Sequence, residues 1–367
     1  MYKRQAVHYP FCAATFDAVN KTFTHTWGDA YCSTDLAAYD FMFSTVYETP
    51  FVVDETTTVL PIALTFRPLM ARIGMKLALG ANETPKYVTF TTDDNVLPTA
   101  GTVNADGTFS ASALTNSLTV ETDRKEFTVG LLPVGVASKM SVHVTTTDGM
   151  TYSDKSFQLA GLKRNTHYTM NVPCRTKRFM LTVPDGVNSK YGTGTYGDNG
   201  FFQVEPQYDP ESIFDGWHFL RSEIKSDKDA ADGDVLKNRN RIQLQAVSLG
   251  TNRAQNGAFV TPPIQCDGTK TVTVSFTAAT NKLTVGSVQY RIGVTNNGAD
   301  ISEDFLRSFD NIQSSLEGEC PWKHSGSVSR THTFTVTNGQ RIMMKVYSSG
   351  GGTPCHLELA DFTYTVE

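Results

Sequence analysis

The sequence predicts an all-β chain of two β-sandwich domains in tandem, the second jelly-roll-like and carrying a short helical insertion. Three observations predict it. Threonine supplies 48 of the 367 residues, and β-branched side chains pack well on a pleated sheet but lose rotamer freedom in a helix. Short segments that alternate apolar and polar residues recur with polar turns between them, the pattern of antiparallel sheets rather than of βαβ units. Composition also breaks near residue 185, and the chain is longer than the roughly 250 to 300 residues at which a single core stops growing.

In the first half, Ala71 to Leu79 places Ile73, Met75, Leu77 and Leu79 on one face at period two, with Arg72 and Lys76 outward. Ile62 to Phe66 precedes it as a strand, and Tyr87 to Phe90 follows. Gly101 to Phe109 contains Asp106-Gly107, a hairpin turn signal. Phe127 to Leu132 stops at Pro133. Ser141 to Thr147 alternates cleanly, turns at Asp148-Gly149 and returns through Met150 to Tyr152. Phe157 to Leu159 and Tyr168 to Val172 complete a meander of strands.

Residues 184 to 200 are rich in glycine and polar residues, as linkers and long loops are, and residues 201 to 250 contain no threonine. These changes divide the chain into domains at 1–183 and 201–367. Strand patterns resume at 241–247, 272–276, 287–294, 331–336, 341–347 and 357–366. Between them, Ser302 to Leu316 reads as a helix, with Phe305, Leu306, Phe309, Ile312 and Leu316 as its apolar stripe and Ser302 as its N-cap.

Charge argues against two partner classes. Residues 1 to 185 hold 16 Lys and Arg against 17 Asp and Glu, and the remainder 16 against 20, giving a net charge of −5. Neither half is basic, so no nucleic-acid footprint or polybasic membrane patch is expected. No segment is long and apolar enough to span a membrane, and Met1 to Pro10 lacks the apolar core of a signal peptide. The six cysteines, at 12, 32, 174, 266, 320 and 355, form no C-x-x-C pair. They suit either one disulfide per half with a leftover or six free thiols.

Motifs for chemistry are sparse. Gly192-Thr-Gly-Thr-Tyr-Gly197 has the letters of a dinucleotide fingerprint but no helix pattern after it, so a flexible loop is expected. Asp227, Asp229, Asp232 and Asp234 crowd one acidic loop. It departs from an EF-hand at Ala231 and Asn238, which leaves a solvated loop or a non-EF structural calcium site. Serine elbow and zincin motifs are absent, and a non-enzymatic protein without cofactor is expected. Trp217, with His218 beside it, and Trp322 lie in turn-rich surroundings. They are either loop aromatics that stack on sugar rings or core anchors.

The first half resembles the fimbrillin family, the pilus subunits and related surface lipoproteins of Bacteroidetes. The likeness rests on Trp27-Gly-Asp29, on Leu64 to Leu77 (LTFRPLMARIGMKL) and on Leu159 to Val172 (LAGLKRNTHYTMNV). Arg67-Pro68 stands where the family has a histidine region, and no lipobox cysteine precedes the domain. The second half resembles galactose-binding-type or jelly-roll modules through Phe214-Asp-Gly-Trp217, Phe259 to Ile264, Val272 to Phe276 and Leu359 to Tyr364. The fimbrillin resemblance implies export to the cell surface or outer membrane, a lipid anchor outside this chain, and assembly with other fimbrial subunits by strand donation. It implies a tip or accessory adhesin that contacts a glycan or host protein. The alternative is a surface glycan-binding lipoprotein that never polymerises. Tyr2 to Phe16 and Leu357 to Val366 are the segments that could be donated.

Overall fold

The computed structural model describes residues 2–5, 8–9, 15–17, 19, 22–26, 32–36, 42–43, 47–50, 66–104, 108–183, 189–190, 216–227, 236–246, 256–281, 287–295, 300–321, 326–349 and 355–367. Two compact units emerge. One comprises Met1–Leu79, Thr84–Thr146 and Tyr152–Arg175; the other comprises Gly80–Glu83, Thr147–Thr151 and Thr176–Glu367. The second unit therefore starts ahead of the glycine-rich stretch, because Lys177–Met180 pairs with the C-terminal strand.

The first unit is a β-sandwich. Its main strands are β1 (Ala71–Ala78), β2 (Pro85–Thr92), β3 (Leu97–Asn104), β4 (Phe109–Thr115), β5 (Ser117–Glu121), β6 (Glu126–Leu131), β7 (Ser138–Thr146), β8 (Thr151–Leu159) and β9 (His167–Pro173). One sheet runs β9-β1-β6 and ends on Cys32–Ser33, while β5, β2, β7 and β8 are neighbours in another. The alternation in β1 buries Ile73, Met75 and Leu77, as its sequence predicts, against a core that includes Val88, Phe90, Val142, Val144 and Tyr152. The β3–β4 hairpin pairs with Thr22–Thr26. Among the described residues Tyr2–Gln5 pairs with Tyr47–Pro50. The predicted strand at 62–66 and the Asp106-Gly107 turn fall mostly or wholly outside the described residues.

The second unit contains β10 (Lys177–Met180), β11 (His218–Leu220), β12 (Ser222–Lys225), β13 (Arg241–Ala246), β14 (Ala258–Val260), β15 (Thr269–Asn281), β16 (Ser287–Val294), α1 (Glu303–Arg307), β17 (Gln313–Pro321), β18 (Val328–Thr337), β19 (Ile342–Ser349) and β20 (Cys355–Val366). One sheet is ordered β11-β14-β19-β16-β17; facing it, β20 is flanked by β15 and by β13 and β10, with β18 beyond β15. The core between them includes Phe259, Val272, Val274, Tyr290, Met344, Leu357, Leu359 and Phe362. Threonine earns its frequency on the outer face of β15 and β18, where Thr269, Thr271 and Thr273 stand opposite Thr337, Thr335 and Thr333 while Val272, Val274, Phe334 and Val336 point inward.

The predicted helix is real but shorter. Ser302 caps it, its Oγ accepting the Phe305 N–H at 3.1 Å, and the helix ends at Arg307. Asp310 and Asn311 favour a turn, and Gln313 onward becomes β17 because pairing with β16 supplies the backbone with partners. Phe305, Leu306, Phe309 and Ile312 still pack on the sheet, whereas Leu316 is 43% exposed. Cys266 and Cys320 are buried and Cys174 is half-buried.

Candidate functional site

The candidate site is the outer edge of β9. This strand runs parallel to β1, from His167 opposite Arg72 to Pro173 opposite Ala78. Among the described residues no strand pairs with its other side, so it is the end of its sheet. The Arg72 N–H donates to the Thr166 carbonyl at 2.9 Å. Alternation of the parallel ladder then leaves the N–H and C=O of His167, Thr169 and Asn171 on the open side. Those three side chains are exposed, while Tyr168, Met170 and Val172 turn toward the core. The loop before the strand is pinned by the Lys163 N–H, which donates to the Tyr168 hydroxyl at 3.0 Å.

The core behind this edge is incompletely covered. Val172 is buried, but Tyr168 and Met170 of β9 and Phe157 of β8 are only half-buried. Among the described residues this backbone row has no partner and lies beside half-buried apolar side chains; in general, main-chain groups at a sheet edge can supply hydrogen bonds and an apolar row can supply register to an added strand.

The C-terminal strand has the opposite character. β20 pairs with β15 along one side and with β13 and then β10 along the other. Leu357, Leu359, Phe362, Tyr364 and Val366 are at most 3% exposed. Donating Leu357 to Val366 would strip this core.

The residues singled out for ligand binding fare differently. Trp217 is a core anchor, 4% exposed, with ring centroids 5.0 Å from Phe179, 5.7 Å from Phe219 and 5.5 Å from Phe259. This burial fits the core-anchor alternative: in a short turn-bounded segment, inward and outward tryptophans have the same sequence signature. His218 is half-buried; burial, and then the Arg341 guanidinium, push its imidazole down to about 4. Arg341 in turn donates to the carbonyls of Gly216 at 3.2 Å and Thr261 at 2.8 Å, fixing this segment. Trp322, Asp229, Asp232 and Asp234 lie outside the described residues, and Asp227 is half-buried at the end of its segment, its N–H donating to Asn240 Oδ1 at 3.2 Å. Among the described residues no group of three or more His, Cys, Asp or Glu could hold a metal ion.

Sequence reasoning missed the β9 edge, because an edge strand and an interior strand alternate alike. It also missed a hollow of about 630 Å³ in the first unit, lined by Asp35, Glu121, Asp123, Arg124 and Phe127 among others.

With this geometry in view, the class of the first unit is clear. Residues 6–185 match the family described as fimbrillin-like, and the N-terminal half of the chain is a fimbrillin-like domain. No curated protein matches the chain. Among solved structures, a candidate cell adhesion protein from Bacteroides ovatus is 21% identical with a TM-score of 0.32, covering 46% of this chain and 62% of that one, so the chain spans less than two thirds of its length. The K1 adhesin domain of Lys-gingipain from Porphyromonas gingivalis is 14% identical with a TM-score of 0.25, over 53% of this chain and 98% of that domain. A CBM22 tandem from Paenibacillus barcinonensis is 11% identical with a TM-score of 0.27, over 81% of this chain and 77% of that one.

Proposed function

We propose that the chain is a non-enzymatic cell-surface fimbrial subunit, a tip or accessory adhesin, that accepts a strand from another fimbrial subunit along β9. The observation that carries this reading is the open β9 edge beside half-buried Tyr168, Met170 and Phe157. The fimbrillin-like match over residues 6–185 supports the cell-surface and fimbrial assignment. The closed state of β20 supports a terminal position, since a subunit that receives a strand but keeps its own C-terminal strand ends a polymer. In this reading the second unit, whose described strands are committed to its own core, contacts a glycan or host protein through its loops.

Mixing the purified chain with its fimbrial partner subunits tests the reading. A stable complex should form, and Thr169→Pro, which removes an open-side N–H at an exposed position, should abolish it while leaving the fold intact. A chain that stays monomeric with every partner yet binds polysaccharide would instead support the non-polymerising surface glycan-binding lipoprotein.

A further inference from the structure

Three buried side chains that strand acceptance does not use meet within the second unit. Lys177 of β10 is 1% exposed, and its Nζ lies 2.7 Å from Asp148 Oδ2 and 3.0 Å from Glu83 Oε1. Its ammonium also donates to the Gln265 carbonyl. Asp148 is 3% exposed and Glu83 5%.

The two carboxylates are held in different ways. The Met150 N–H donates to Asp148 Oδ1 at 3.2 Å and the Gln265 N–H to Oδ2 at 3.0 Å, so fixed backbone donors polarise both oxygens of that group. Glu83 Oε2 accepts the Gly80 N–H at 2.9 Å, which aims Oε1 at Lys177. One carboxyl is thus set up like an acyl carbon in an oxyanion hole, the other like a proton relay. Burial of the three charges is costly, and one proton transfer from ammonium to carboxylate relieves part of that cost by leaving a neutral amine. That amine is held 2.7 Å from Asp148 Oδ2, beside the Cγ it would attack, so the two groups are already brought together for reaction.

We propose that Lys177 and Asp148 condense spontaneously into an intramolecular amide, with Glu83 relaying the protons. The Nζ–Cγ bond forms, a Cγ–O bond of Asp148 breaks, and water leaves. Of the three ammonium protons, two pass by way of Glu83 to the departing oxygen and one stays on the amide nitrogen. Charge balances, because one cation and one anion become a neutral amide and water, and no other reactant is needed. The Met150 and Gln265 N–H groups stabilise the oxyanion formed on the way. The product is a covalent staple between residues 148 and 177 that removes freedom from the unfolded chain as a disulfide does, yet resists reductants.

Intact mass of the purified full chain under denaturing conditions tests this. The expected mass is that of the sequence less one water, and proteolysis should release a branched peptide joining the Asp148 and Lys177 segments. Glu83→Gln should keep the full mass, with circular dichroism unchanged. A folded wild-type chain of full mass giving only linear peptides overturns the proposal. So does a water loss confined to a linear peptide at Asp148-Gly149, which would be a succinimide. Cross-linked Glu83→Gln would remove Glu83 from the reaction. Should that variant fail to fold, the wild-type mass and peptide map still decide.

Discussion

The strands that end the two units are built from similar alternating sequence and meet opposite fates. Among the described residues β9 has no strand partner on one side, and seven apolar residues, Phe127, Phe157, Tyr168 and Met170 among them, are partly buried around the core it borders. β20 is paired along both sides, and around its larger core the partly buried apolar residues among those described are Phe179 and Val328. A sandwich can therefore be finished internally, which makes it a stable end, or left short of a strand, which makes it a receptor for one.

The contrast breaks most visibly in stability. Trp217→Ala in the sealed core should cost about 3 to 5 kcal/mol, as truncation of a buried aromatic does. Chemical denaturation would check it, and a nearly unchanged midpoint would return Trp217 to the surface. Next comes Lys345, fully buried on β19, whose Nζ donates to the Asn256 carbonyl at 3.3 Å and lies 5.2 Å from the Phe309 ring. Burial, then Arg307 and Arg221, bring its ammonium down to about 7. Its folded value is below its unfolded one, so this group's stability contribution rises as pH climbs from about 7 toward 10.5. Lys345→Met should then gain roughly 1 to 3 kcal/mol at neutral pH and lose most of that advantage in alkali. Stability profiles of the two chains against pH would show whether they converge.

His218 gives a smaller effect in the acid range. Its folded value of about 4 lies below the ordinary 6.5, so stability is full above 6.5 and drains as pH falls toward 4. His218→Gln should flatten that part of the profile; an unchanged slope would mean other groups carry it. The smallest change in stability belongs to the open edge. Met170→Ala, removing a half-buried side chain, should cost no more than about 1 kcal/mol, yet weaken capture of a partner strand far more than Trp217→Ala does in any chain that stays folded. Equal binding losses would erase the distinction between the edges.

Much of the fold was legible because period-two alternation is local: β1 and β7 follow from their own residues. The helix overshot because Phe309, Ile312 and Leu316 keep helical spacing past Arg307, while the pairing that converts Gln313–Pro321 to a strand is a long-range fact. Trp217 was ambiguous for the reason that packing, not sequence neighbours, decides which way a turn-bounded ring faces. Glu83, Asp148 and Lys177 are far apart along the chain, so nothing local announces their meeting.

Amide hydrogen exchange, residue by residue, tests the central claim most directly. In the isolated chain the Thr169 and Asn171 amides should exchange fast while those of Leu357 to Val366 are protected, and adding the partner subunit should slow only the former. Thr169 and Asn171 already protected in the isolated chain, or unprotected in the complex, would contradict the account.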